Sequence, residues 1–275
     1  VLPISLKLAE IFSDDPNRPD VSVTAGGSGV GISALLQDNT DIAMASRAIK
    51  FQERVAIRER GFEFREETIA FDALAVIIHP SNPVEELTVE QVKGIYRGEL
   101  TNWNQVGGPD RPIVVFNRES SSGTYGFFQK KVLGGDKFAT MQTVGANGEL
   151  VEKVAANENT IGYVGVAYID PRVKEVKLFN EKLGRAVAPT IENAMAGIYP
   201  LNRPLFFYYL THHTEQVKPV FDFLLSPAGQ EMVRSVGYPP NPAYLEQQPA
   251  LPDTNTSAAR DAEPTDSSAQ PNPAR

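Results

Sequence analysis

The stretch Ala25–Gly31, A-G-G-S-G-V-G, constrains this chain more than any other. Four glycines in seven residues let a backbone turn sharply and let a neighbour approach it closely. Apolar and small polar residues alternate over Val21–Thr24, which predicts a strand before the turn, and Ile32–Leu36 predicts a short helix after it. Strand, glycine turn and helix in that order aim free backbone N–H groups at an anion. A second stretch, S-S-S-G-T-Y-G at Ser120–Gly126, repeats the theme behind the strand-like Ile113–Phe116 and the cation Arg118. Two such turns predict two lobes closing on one small anion.

Other phosphate-binding schemes do not fit. No Gly-Lys-Ser/Thr follows either turn at the spacing of a nucleotide P-loop. A dinucleotide fold needs an acidic residue about twenty positions beyond its glycines; Ser46 and Arg47 stand there instead. With 26 Lys and Arg against 34 Asp and Glu, the net charge of -8 argues against nucleic acid or an anionic membrane surface as partner. The absence of cysteine excludes disulfides, thiolate catalysis and zinc–thiolate sites. His79 falls in a proline-flanked segment, and His212-His213 matches no H-E-x-x-H pattern. Neighbouring histidines on a strand would face opposite ways, so all three read as solvated or structural, and neither a metal nor a cofactor is expected. No apolar run reaches the length of a membrane span, and no signal peptide is visible. The opening V-L-P-I-S without methionine suggests a processed or truncated start.

Taken in order, Val1–Phe12 predicts a helix, Val21–Thr24 and Asp41–Ala45 strands, and Phe51–Arg60 a charged surface helix. Phe64–Phe71 and Leu74–Ile78 predict two further strands, the second buried. His79–Pro83 reads as a linker at the first crossing between lobes. Thr88–Tyr96 predicts a helix with Thr88 at its cap and Gln91 completing a capping box. Trp103 reads as a packing anchor. The helix Tyr125–Leu133 starts at the second turn. Asn147–Asn157 predicts another helix, Thr160–Ile169 a buried run, Val173–Phe179 and the aromatic Leu205–Leu210 strands. Thr214–Leu225 and Pro227–Val236 predict the last helices. Alternating strands and helices predict an α/β architecture.

An oxyanion needs many hydrogen-bond donors and a fixed cation. The candidates are Ser28 with the Gly29 backbone, Ser46, Arg47, Arg118, Ser120, Ser121, Ser122, Gly123 and Thr124. These fall where ligands gather in α/β sheets, at the carboxyl ends of strands. Arginine suits the task because its planar fork makes paired charge-assisted bonds.

These residues carry a resemblance. V-L-P-I near the start, G-G-S-G-V-G at 26–31, D-I-A-M-A-S-R at 41–47 and R-E-S-S-S-G-T at 118–124 resemble the phosphate-binding family of the periplasmic binding proteins. L-T-N-W at 100–103 and I-G-Y-V at 161–164 resemble its framework segments. The resemblance runs from Val1 to about Gly237. It implies a two-lobe α/β fold, each lobe a mixed sheet flanked by helices, with crossover strands between. Residues 1–75 and 171–240 would form lobe I, lacking the family's first strand and loop, and 76–170 lobe II. Residues 241–275 would be a disordered tail. Ligand contacts would be Ser28, Arg118, Ser122, Gly123 and Thr124. Arg47 aligns where some members carry an aspartate that accepts the proton of hydrogen phosphate. Arginine accepts nothing, so Asp41 and Glu119 are named as substitute acceptors. The resemblance further implies a monomeric, non-catalytic carrier in the periplasm or at the cell surface. It would bind inorganic phosphate and deliver it to an ABC transporter permease. A surface adhesion or signalling protein on the same lobes is an alternative. A phosphatase is another, although Ser122 has no visible base and no nucleophile elbow is present.

Overall fold

The computed structural model of the protein describes residues 1–245. It opens with α1 (Leu2–Ser13), whose Ile4, Leu8 and Phe12 form one buried stripe. Next come α2 (Ser28–Leu36), β1 (Ala43–Ala45) and α3 (Phe51–Glu59). The following strand, β2, runs without a break from Phe64 to Ile78. Then follow β3 (Glu86–Leu87), α4 (Val89–Tyr96), β4 (Val114–Arg118), α5 (Gly123–Lys131), β5 (Gln142–Val144), α6 (Asn147–Ala155) and β6 (Thr160–Gly165). The chain ends with β7 (Lys174–Asn180), β8 (Arg185–Val187), α7 (Ile191–Met195), β9 (Asn202–Leu210), α8 (Thr214–Leu224) and α9 (Pro227–Ser235).

One long strand organises the molecule. The first part of β2 pairs antiparallel with β9, from Phe64 opposite Leu210 to Ala73 opposite Asn202. Its last five residues pair antiparallel with β6, from Leu74 opposite Gly165 to Ile78 opposite Ile161. The sheet order β1-β9-β2-β6-β4-β5 therefore hinges on β2. On one side of it α1, α8 and α9 pack on Ile69, Leu205 and Phe207. On the other, Tyr96, Trp103, Phe128 and Tyr163 fill a second core, with the rings of Phe128 and Tyr163 stacked 4.0 Å apart.

Several expectations hold in atomic detail. Thr88 Oγ1 accepts from Gln91 N at 3.0 Å while Gln91 Oε1 accepts from Thr88 N at 2.8 Å, the reciprocal pair that fixes the start of α4. Trp103 is fully buried and its indole N–H donates to Asn159 O at 2.9 Å.

Others are corrected. Phe64–Phe71 and Leu74–Ile78 are one strand, because the residues between them keep pairing with β9. The crossing between halves therefore lies within β2. His79–Pro83 forms a turn beyond it, with Asn82 N donating to His79 O at 3.0 Å. Val21–Thr24 is not a strand. Among the described residues its main chain makes no backbone hydrogen bond, and a groove of about 270 Å³ separates it from Ala43 and Met44. Alternation makes a strand only where a neighbouring backbone edge lies within reach.

Residues 171–201 were expected with lobe I, but Val176, Leu178, Val187, Ala194, Tyr199 and Leu201 belong to the core of Trp103 and Phe128. The reason is pairing: β7 runs antiparallel to Val76–Ile78. The tail does not begin at 241 either. Asn241 N donates to Gln230 Oε1 at 2.7 Å, and Asn241 Nδ2 donates to Thr68 O at 2.7 Å, which tie residues 241–245 to β2 and α9. The rest of the expected tail lies outside the described residues.

Candidate functional site

The two glycine-serine turns meet. Gly29 N, in the first turn of α2, donates to Ser121 O at 3.1 Å across a cleft of about 450 Å³. Ser28 is buried, and its Oγ accepts from Ser46 N at 3.0 Å. Gly123, at the start of α5, sits directly against this pair; a Cβ there would overlap Ser28 Oγ and Ser46 Oγ. Gly27 plays the same part from the other side, since its Cβ would fall 2.7 Å from Ser121 O. Ser122 caps α5, its Oγ accepting from Thr124 N at 3.2 Å and Tyr125 N at 3.4 Å. Each serine hydroxyl that accepts a backbone N–H keeps its own proton to donate to a ligand.

A third helix start lines the same cleft. Gly145, Ala146 and Asn147 lead into α6 beside the starts of α2 and α5. Each helix N-terminus carries about half a positive elementary charge and unpaired N–H groups. Arg118, at the end of β4, is buried and held between them. Its Nη2 donates to Gly145 O at 2.7 Å, its Nε to Val144 O at 3.4 Å, and its Nη1 to Asn147 Oδ1. A guanidinium has five N–H donors, so donors remain for a ligand. Burial depresses its pKa below the ordinary arginine value, yet arginine stays protonated at any physiological pH.

The floor of the cleft is an ion pair that the residue pattern did not reveal. Asp72, at the point where β2 passes from β9 to β6, accepts from Arg203 Nη2 at 2.7 Å and Nε at 3.1 Å, and from Val166 N at 3.2 Å. Arg203 Nη2 also donates to Thr124 Oγ1 at 3.0 Å, while Arg203 Nη1 is buried with no partner among the described residues. Two buried arginines, one buried carboxylate and three helix starts leave the cleft net positive, despite the chain's overall negative charge.

Of the residues chosen from sequence, Ser28, Ser46, Arg118, Ser121, Ser122, Gly123 and Thr124 all line this cleft, and Gly29 bonds across it. Arg47 does not join them. Its guanidinium grips Glu53 with two bonds of 2.7 and 2.8 Å, and it lines an adjoining surface groove with Lys50, Phe51 and Lys130, which shares Ser46 and Arg203 with the cleft. Position after a strand end placed it near Ser46, but Glu53, in the first turn of α3, is the nearer partner for a cation. Ser120 lies outside the cleft, on another face of its turn. Of the two substitute acceptors, Glu119 reaches only the exposed rim, and Asp41 stands beside His213 instead. Asp72 is the buried carboxylate of this cleft. Its signal was a single acid inside the apolar run Ile69–Ile78. Arg203 had a similar signal, a cation at the head of an aromatic strand.

A family model described as a PBP superfamily domain matches residues 1–228. The chain is 34% identical over 258 residues to Protein SphX of Synechococcus elongatus, covering 88% of this chain and 75% of that one. A putative phosphate ABC transporter substrate-binding protein from Clostridium perfringens, solved with bound phosphate, is 36% identical and superposes with a TM-score of 0.78 over 87% of this chain and 95% of its own. An ABC-type phosphate transport receptor from Vibrio cholerae is 33% identical, with a TM-score of 0.69 over 86% of this chain and 94% of its own. By sequence and by fold, the chain belongs to the PBP superfamily, among the phosphate-binding substrate-binding proteins.

Proposed function

We propose that this chain captures inorganic phosphate between its two halves and hands it, chemically unchanged, to an ABC transporter permease. The observation that carries the reading is the convergence of three helix starts, Arg118 and Arg203 on one cleft. Ser28, Ser122, Gly123 and Thr124 are the ligand contacts in this reading, with Arg118 as the fixed cation, while the Gly29 N–H, bonded to Ser121 O, ties the two turns together. Closure around the anion excludes water, which strengthens each charge-assisted bond. Nothing in the cleft calls for chemistry on the ligand: among the described residues it contains no nucleophile paired with a base. The protein works as a monomer outside the cytoplasm, in the periplasm or at the cell surface. Its lobes divide within β2, one built on β1 and β9, the other on β4 to β8.

Asp72 favours phosphate over sulfate. Hydrogen phosphate carries a proton that a buried carboxylate accepts; sulfate has none at neutral pH and would meet that carboxylate as a bare anion. Calorimetric titration at neutral pH should give one phosphate per chain, with sulfate bound far more weakly. In Asp72→Asn the preference should shrink by about 10- to 100-fold, the worth of one hydrogen bond to a charged group. Heat-silent titration with phosphate would overturn the function. Equal binding of both anions by the unaltered chain would overturn the role of Asp72 alone.

A further inference from the structure

At the far end of α2 from the cleft, two histidines and an aspartate meet. His212 and His213 end the short turn Thr211–His213 that leaves β9. Because the turn coils like a 3-10 helix, neighbouring side chains need not point opposite ways as they do on a strand. Both imidazoles reach Asp38, which follows α2 in the left-handed region at φ 59°. His212 Nε2 lies 3.1 Å from Asp38 Oδ2, and His213 Nε2 lies 2.8 Å from Asp38 Oδ1. One ligand atom from each of the three residues falls within 4.8 Å of the others.

We propose that Asp38, His212 and His213 form a binding site for a divalent transition metal of the zinc class. Tetrahedral zinc with bonds near 2.0–2.1 Å sets its ligand atoms about 3.3 Å apart. To the single oxygen Asp38 Oδ1, His212 Nε2 lies 3.2 Å and His213 Nε2 2.8 Å, so these two spacings need to open by only a few tenths of an ångström. The donor set is two imidazole nitrogens and one carboxylate oxygen, which suits zinc, nickel or copper and not the all-oxygen preference of calcium or magnesium.

Outer partners favour the same assignment. His213 Nδ1 faces Gln216 Oε1 at 3.0 Å and Asp41 Oδ1 at 3.6 Å. With Nδ1–H held there, Nε2 can take a cation in place of the proton it otherwise shares with the Asp38 carboxylate. Metal-bound histidines are held by their other ring nitrogen in this way. The His212 ring is fixed between Phe62 and His213, at centroid distances of 5.5 and 4.2 Å. The side chains of His212, Asp38 and His213 are 45, 33 and 20% exposed, which leaves an open coordination position for water. Bound metal would tie the end of α2 to the exit of β9. The site lies about 13 Å, the length of nine helical residues, from the end of α2 that faces the anion cleft.

The test is calorimetric titration of the chelator-treated full chain with zinc chloride, in a buffer that does not bind zinc. The expected result is one saturable site. Asp38→Ala and the double change His212→Ala/His213→Ala should each weaken it at least about tenfold. Phosphate titration of the same variants should match the unaltered chain, which shows that they fold. Absence of saturable zinc binding overturns the proposal and leaves an ordinary histidine–carboxylate ion pair. Undiminished zinc binding by variants that still bind phosphate also overturns it.

Discussion

Arg118→Ala should weaken phosphate binding by about 30-fold to several thousand-fold, measured by calorimetry at neutral pH. Removing one member of a buried, hydrogen-bonded charge pair costs about 2–5 kcal/mol, and each 1.4 kcal/mol is about tenfold. Arg118 is pre-positioned by Gly145 O, Val144 O and Asn147 Oδ1, so no ordering of a long side chain offsets its contribution. Arg118→Lys should fall between the two, since an ammonium restores the charge and not the planar fork. An alanine variant that binds phosphate within threefold of the unaltered chain would remove Arg118 from the account.

Gly123→Ala should weaken phosphate binding by about 10- to 100-fold through a different cause. The added methyl takes the space of Ser28 Oγ and Ser46 Oγ. Relief requires Ser28 to swing away or the two turns to part, and forcing one methyl into a packed contact costs about 1–3 kcal/mol. Both routes act on the bound state, because the collision is between the halves and not within either one. Circular dichroism and thermal unfolding of the phosphate-free variant should therefore stay close to the unaltered chain. Undiminished affinity would show that the turns need not touch in order to hold the anion.

Most of the site was legible because its residues announce themselves by local chemistry. Glycines and hydroxyls just ahead of a helix start are what a turn that presents N–H groups to an anion requires. Ser28, Ser122, Gly123 and Thr124 follow from that alone. Arg118 follows from standing at the end of β4, ahead of its turn. Arg47 had the same local signature and a different fate. What separates them is the nearest acceptor: Glu53, close in sequence in the first turn of α3, takes Arg47, whereas Arg118 finds only neutral acceptors at the start of α6.

Asp72 and Arg203 were hidden for the converse reason. They stand 131 residues apart in sequence, and only the pairing of β2 with β9, Asp72 opposite Arg203, makes them neighbours. Helices α4 and α6 were visible in periodicity and capping. That α6 points its N-terminus into the cleft depends on β5 lying beside β4, a long-range fact. The same limit explains Val21–Thr24, where a strand-like pattern has no backbone edge to pair with, and His212-His213, whose turn brings both rings to one side.

The account rests on one anion held between the start of α2 and the start of α5, and a crystal structure of the chain grown in phosphate tests it most directly. It predicts one tetrahedral density within hydrogen-bond distance of Ser28 Oγ, the Gly123 and Thr124 backbone, and the Arg118 guanidinium. Phosphate found only elsewhere, such as the Lys130 groove beside Arg47, with the cleft holding water alone, would contradict it.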